Sequence, residues 1–195
     1  VYKRQKEFVG RGVSYCAVCD GAFYKEKVVA VVGGGNAAVE EAMYLTKFAD
    51  KVYVVHRRNE LRADKIVQER AFKNEKIEFV WDSVVKEIKG DTLVHTVVLE
   101  NVKTKEILNL PVNGVFPYIG MVPNVENITG QVEQDAGGFV LTDETMKTSL
   151  DGVFAVGDIR KTPLRQVITA ASDGAVGAVY SVKYIESLKD IPQKV

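Results

Sequence analysis

The stretch Lys27 to Ala42, KVVAVVGGGNAAVEEA, leaves the chain few ways to fold. Five apolar residues, Val28 to Val32, run without alternation, as a strand does when both of its faces are buried in a parallel sheet. Gly33, Gly34 and Gly35 follow at once, and from Asn36 the apolar residues Val39, Ala42 and Met43 recur at helical spacing. A strand, a glycine turn and a helix in that order form the setting in which a G-x-G-x-x-A pattern binds a dinucleotide. Gly33 permits the tight turn, Gly35 lets the main chain approach a pyrophosphate, and Ala38 is small enough for the helix to pack on the strand. The helix start at Asn36, Ala37 and Ala38 then offers unpaired N–H groups and a positive dipole end to the phosphates. A glycine pattern alone is equally a β-turn-α connection with no ligand, so the next strand decides.

That strand is Lys51 to Val55, and it runs into His56, Arg57 and Arg58. A site for NAD carries an Asp or Glu about 20 residues after the glycines, on the ribose 2′-hydroxyl. Here the position holds Arg57 and Arg58, with Arg62 one turn further on. A carboxylate would repel the 2′-phosphate of NADP, whereas guanidinium groups bind it through paired, charge-assisted hydrogen bonds. Surface arginines often mean only a solvated face, but two adjacent ones at this offset from a glycine turn favour NADP. His56 sits beside the adenosine on this reading, or merely caps the strand.

The C-x-x-C of the segment Gly10 to Ala22, GRGVSYCAVCDGA, contains the only two cysteines, Cys16 and Cys19. The N-terminal VYKRQKEF has neither the apolar core nor the cleavage site of a signal peptide, and it lacks an initiator Met. The chain is therefore expected to be a fragment of a cytoplasmic protein, where a purely structural disulfide is rare. A C-x-x-C beside a βαβ pattern reads as a redox pair, with two inert buried cysteines as the alternative. Zinc would need two further ligands, and His56 and His95 lack the spacing, so no metal is expected. Asp20, next to Cys19, is placed to exchange a proton with a thiolate, or to serve as an ordinary turn residue.

The remaining chain continues the α/β pattern and then departs from it. A helix is expected from about Ala63 to Lys73 and a strand over Lys76 to Trp81. Three alternating stretches follow, Val84 to Lys89, Leu93 to Glu100 and Glu106 to Pro111, as an antiparallel meander inserted in the α/β unit. Gly114 to Tyr118 returns to a buried strand, and Trp81 with its neighbouring aromatics reads as core. Gly120 to Gly130 is loop-like and marks a domain boundary. Beyond it, short strands are expected at Gly138 to Thr142 and at Gly152 to Gly157, and a long helix from Arg165 to about Leu188. At 195 residues, 46% of them hydrophobic, there is core enough for one domain or two small ones. Lys plus Arg and Asp plus Glu both number 26, so no overall field favours nucleic acid or an anionic membrane. No apolar run approaches the ~20 residues of a membrane span.

With these residues in place the chain resembles the low-molecular-weight, bacterial-type thioredoxin reductases. CAVCD, GGGNAAVEEA, HRRNELRADK, GVFAVGD and RQVITAASDG stand in that family's order and spacing, and the resemblance covers residues 6 to 195. It implies a Rossmann-like NADP-binding domain over 12–119 with the inserted meander and the C-x-x-C. Residues 1–11 would end a first half of an FAD domain or its linker, and 120–195 would be the C-terminal half of that α/β domain. It implies NADPH and FAD as cofactors, thioredoxin as partner and a homodimer when complete. Gly157 and Asp158 would hold the flavin ribitol and phosphate region, and Arg165, Gln166 and Val167 would lie against the isoalloxazine. Cys19 would face the flavin, Cys16 would exchange with thioredoxin, and Asp20 would be the acid–base group. The fragment by itself would be inactive. The flavin subunit of an alkyl hydroperoxide reductase and a silent NADP-binding module are the alternatives.

Overall fold

The computed structural model describes residues 2–189. In chain order its elements are α1 (Ala17–Asp20), β1 (Val28–Val32), α2 (Asn36–Leu45), β2 (Lys51–Val55), α3 (Lys65–Phe72) and β3 (Ile77–Val80). Then come β4 (Ser83–Gly90), β5 (Val94–Asn101), β6 (Ile107–Pro111), β7 (Gly114–Pro117) and α4 (Val167–Lys189). The fold is mixed α/β, with one parallel and one antiparallel sheet. The chain divides into two compact units, Val1–Gly120 and Met121–Val195.

In the first unit the parallel sheet runs in the order β3-β2-β1-β7, with Val29 beside Val52 on one flank and Gly114 on the other. The unbroken apolar run of β1 is explained by what covers it. Val29 and Val31 point to one side and pack with Val52, Val54 and Phe116 against Ala38, Ala42 and Leu45 of α2. Ala30 and Val32 point to the other and pack against Val85, Ile88, Val97 and Leu99 of the antiparallel sheet β4-β5-β6. Three layers result: helices, parallel sheet and meander. α2 turns a stripe of Ala38, Val39, Ala42 and Leu45 inward, at the spacing a half-buried helix requires. Residues 2–11 lie in this unit as well: Phe8 is fully buried in the meander-side core, and Lys3 bridges to Glu87.

The second unit has little regular structure besides α4. Its core is a small cluster of Val125, Val132, Val140 and Ala155. The strands expected at Gly138 to Thr142 and Gly152 to Gly157 are reduced to isolated bridges at Val140 and Phe154, and Gly157–Ile159 is one 3-10 turn. Each stretch is apolar enough for a strand, but among the described residues neither has a neighbouring strand to extend a ladder with. Aspartates hold the loops instead. Asp135 Oδ1 accepts from the N–H groups of Gly137 and Phe139, and Asp143 Oδ1 from those of Thr145 and Lys147. The long helix starts at Val167, two residues after the expected Arg165.

Candidate functional site

In the first unit a cleft of about 370 Å³ opens outside the C-terminal ends of β1, β2 and β7, lined by Gly33, Gly34, His56, Arg57, Arg62 and Tyr118 among others. β2 and β3 extend to one side of β1 and β7 to the other, so the cleft lies at the point where the strand order reverses. Open α/β sheets bind their ligands there.

The three glycines serve different ends. At Gly33, with φ +155°, a Cβ would fall on the Tyr118 carbonyl oxygen and lie 2.7 Å from the Ala38 Cβ, so the turn can close only without a side chain. A Cβ on Gly34 would meet the His56 ring. A Cβ on Gly35 would meet nothing within 4 Å, and Gly35 is the N-cap of α2 in an extended conformation. Its bareness leaves open space at a helix N-terminus, where a phosphate can approach the first amides. Ala38 is buried and abuts Gly33, the close helix–strand approach that the pattern calls for; Asn36 and Ala37 are exposed in the first turn. The side chain of Asn36 is engaged by the facing loop: its Oδ1 accepts from Asp64 N–H at 2.7 Å and its Nδ2 donates to Asp64 Oδ2 at 2.9 Å. The N–H groups of Arg62 and Ala63 both donate to Gly34 O, so the loop that carries the arginines is tied directly to the glycine turn.

Arg57 and Arg62 line the cleft, and they and Arg58 are exposed. His56 lies at their base, only 4% exposed. Burial first, and then the positive charges of Arg62, Arg57 and Arg58, hold its imidazole below the usual range, so it is neutral at pH 7. Its Nε2 is buried and has no hydrogen-bond partner. The cleft itself is lined by His56, Arg57 and Arg62, whereas Arg58 and the start of α2 at Gly35 to Ala38 adjoin it in sequence and are not among its lining residues. A neutral imidazole with an orphaned nitrogen and two guanidinium groups suit a nucleotide that carries an additional phosphate.

The cysteine pair is in the same unit. Cys16 and Cys19 form a disulfide, with their Cα atoms 5.2 Å apart across α1. Cys16 is the N-cap of that turn, and its Sγ accepts from Cys19 N–H at 3.1 Å. Cys16 is half-buried and Cys19 exposed; Asp20 closes the turn half-buried, and its charge reaches the hydroxyls of Tyr24 and Tyr118. Among the described residues no group of three or more His, Cys, Asp or Glu is placed to hold a metal ion.

Residues 2–174 match the profile of the pyridine nucleotide-disulphide oxidoreductases. The chain belongs to this family. It is 52% identical over 190 residues to a thioredoxin reductase of Peptoclostridium litorale, a match that covers 94% of the chain and 60% of the relative. To the thioredoxin reductase of Listeria monocytogenes it is 49% identical, over 95% of the chain and 59% of the relative. A crystal structure of thioredoxin reductase from Streptococcus pyogenes is similar at TM-score 0.90 and 50% identity, covering 95% of the chain and 61% of that protein. The chain thus spans about 60% of the length of the curated relatives it matches.

The Cys16–Cys19 disulfide and the cleft lined by Arg57 and Arg62 are in the same unit. The five residues expected near a flavin are in the second unit. Gly157 has φ +72° and its N–H donates to Asp173 Oδ2; Asp158 is exposed. Arg165 lies over the Phe139 ring at 4.0 Å and its Nε donates to Asp158 O at 3.4 Å. Gln166 N–H donates to Thr169 Oγ1, and Val167 is 87% exposed. Sequence reasoning missed Asp64, which holds Asn36, and Tyr2, Ser83 and Val84, which line the cleft. No pattern marks these. It also missed Tyr118, which follows β7 and could have been found from the rule that ligands gather at the C-terminal ends of parallel strands.

Proposed function

We propose that this chain is the nucleotide- and disulfide-bearing part of a thioredoxin reductase, in which electrons pass from NADPH through FAD to the Cys16–Cys19 disulfide and on to thioredoxin. The observation that carries the reading is the placement of the Cys16–Cys19 disulfide and an arginine-flanked cleft on one unit. When bound, NADPH supplies the hydride and FAD carries the electron pair between nicotinamide and disulfide.

The chain's own residues do the rest. Arg57, Arg58 and Arg62 bind the 2′-phosphate, Gly35 with Asn36, Ala37 and Ala38 receives the pyrophosphate, and His56 faces the adenosine. Gly157, Asp158, Arg165, Gln166 and Val167 contribute to the flavin site. There the exposed Val167 and Ile168 offer an apolar surface to a flat ring system. Cys16 is the thiol that attacks thioredoxin: the amide that Cys19 donates to its sulfur would stabilise the thiolate. Cys19 faces the flavin and resolves the mixed disulfide, and Asp20 hands the proton over. The whole reductase is taken to be a homodimer, as the resemblance implies, and to work in the cytoplasm. Among the described residues no helix is long and apolar enough to cross a membrane.

The test uses thioredoxin reduced to one cysteine and activated as its mixed disulfide with 2-nitro-5-thiobenzoate. The Cys16 thiolate of the Cys19→Ser chain should displace the yellow thiobenzoate and remain bound to thioredoxin, at least tenfold faster than Cys19 of the Cys16→Ser chain. Equal rates would remove the assignment of roles. No trapping by either variant would remove thioredoxin as the partner.

A further inference from the structure

Tyr118 stands where the two chemistries of the first unit meet. Its N–H donates to Val32 O at 2.7 Å, and its carbonyl oxygen covers Gly33 so closely that a Cβ there would collide with it. Its side chain reaches the opposite way. The hydroxyl oxygen accepts from Ala17 N–H at 2.9 Å, and Ala17 is the fully buried residue that follows Cys16. Upstream the loop is held by main chain, with Ser14 N–H donating to Val115 O at 3.1 Å. Ser14 Oγ accepts from Cys16 N–H at 3.1 Å. Downstream of Cys16, the Ala17 amide would lose this acceptor without Tyr118, at a position that water does not reach. An unsatisfied buried donor is costly, and a loop that bears one has reason to move.

We propose that Tyr118 is a positioning residue for the Cys16–Cys19 pair: through Ala17 its hydroxyl holds the loop in the conformation in which the two sulfurs meet. A loop pre-organised for ring closure raises the effective concentration of one thiol at the other, which favours the disulfide over the dithiol. The phenol is suited to the task across the whole range in which thiols titrate. Burial, opposed by the Ala17 bond and aided by the charges of Glu41 and Asp20, pushes its pKa up to about 12, so it stays a neutral acceptor. Because the same residue walls the cleft, the glycine turn and the redox loop share one fixed point. The inference rests on the reading of Cys16–Cys19 as a redox pair, but its test needs neither flavin nor thioredoxin.

The 195-residue chain is equilibrated with mixtures of dithiothreitol and its cyclic disulfide, and free thiols are counted by alkylation and mass. Reduction breaks the Sγ–Sγ bond and gives two thiols, the two electrons and two protons coming from dithiothreitol as it closes its own disulfide. Tyr118→Phe keeps the ring and removes the acceptor. Its midpoint should need roughly three- to tenfold less dithiothreitol, a potential about 14–30 mV less negative at 29.6 mV per tenfold. Asn113→Ala, which loses the bond to Val28 N–H at the other end of β7, should keep the parent midpoint. An unchanged midpoint in Tyr118→Phe, or equal shifts in both variants, would overturn the proposal. Should Tyr118→Phe fail to fold, amide exchange of the parent chain still decides: Ala17 N–H should stay protected in oxidised and reduced protein. Rapid exchange on reduction would overturn it.

Discussion

The two units of this chain are held together by different means. The first hides ranks of Val, Ala, Leu and Ile on both faces of a parallel sheet, and the ion pairs it shows are at its surface. The second has a small apolar cluster of Val125, Val132, Val140 and Ala155 and centres on a charge pair: Arg160 donates to both oxygens of Asp173, at 2.6 and 3.2 Å. Their side chains are 16% and 12% exposed. Asp173 also accepts from Gly157 N–H, and Arg160 donates to Thr142 Oγ1, so one pair ties α4 to two loops. Where apolar area is plentiful the order of the unit does not hang on one charge pair. Where it is scarce, one carboxylate carries much of the order.

The largest effect should come from breaking that pair. Asp173→Ala leaves a largely covered guanidinium and an unpaired Gly157 amide, and should destabilise the second unit by about 2–4 kcal/mol. Hydrogen exchange should rise through α4 and residues 140–160 and leave β1 and β2 protected. The bond from Arg160 above all, with that from Gly157, holds the Asp173 carboxyl below its ordinary value against the effect of burial. A carboxylate whose pKa is lowered by folding adds stability above its unfolded pKa of about 3.9 and loses it as the pH falls through the folded value. The parent's second unit should therefore loosen in acid before its first, and Asp173→Ala should lack that acid step. Simultaneous loosening of both units would break the comparison.

A smaller effect is expected at the glycine turn of the first unit. Gly33→Ala forces a Cβ into the Tyr118 carbonyl and should cost about 1–3 kcal/mol, seen as a lower melting temperature. The smallest is at Gly35, where φ is −92° and a Cβ meets nothing. Gly35→Ala should melt within about 0.5 kcal/mol of the parent, yet bind NADPH at least tenfold more weakly because the new methyl stands in the path of the phosphates. If Gly35→Ala bound nucleotide normally, the bare helix start would not be the pyrophosphate site.

The same contrast explains what could be read from the sequence. The βαβ elements were legible because each is specified by its own periodicity: the run Val28 to Val32, the triple glycine, the spacing of Val39 and Ala42. The meander followed from alternation, and the arginines from their offset after the glycines. The short apolar runs at Val140 and Phe154 were misread as strands because a strand also needs a partner, which composition does not show. Asp173 and Tyr118 were missed for a related reason. Each acts on a residue 13 or more positions away, and no local pattern announces such a contact.

In the proposed function Arg57 and Arg58 read a 2′-phosphate. This reading is tested most directly by titrating the 195-residue chain and its Arg57→Ala/Arg58→Ala variant with NADPH and with NADH. The parent should prefer NADPH. The double variant should bind NADPH between severalfold and about a hundredfold more weakly, since each charge-assisted bond contributes on the order of 1.5–3 kcal/mol before solvent screening. Its affinity for NADH should not change. Equal affinities for the two nucleotides in the parent, or equal losses in the variant, would contradict the account.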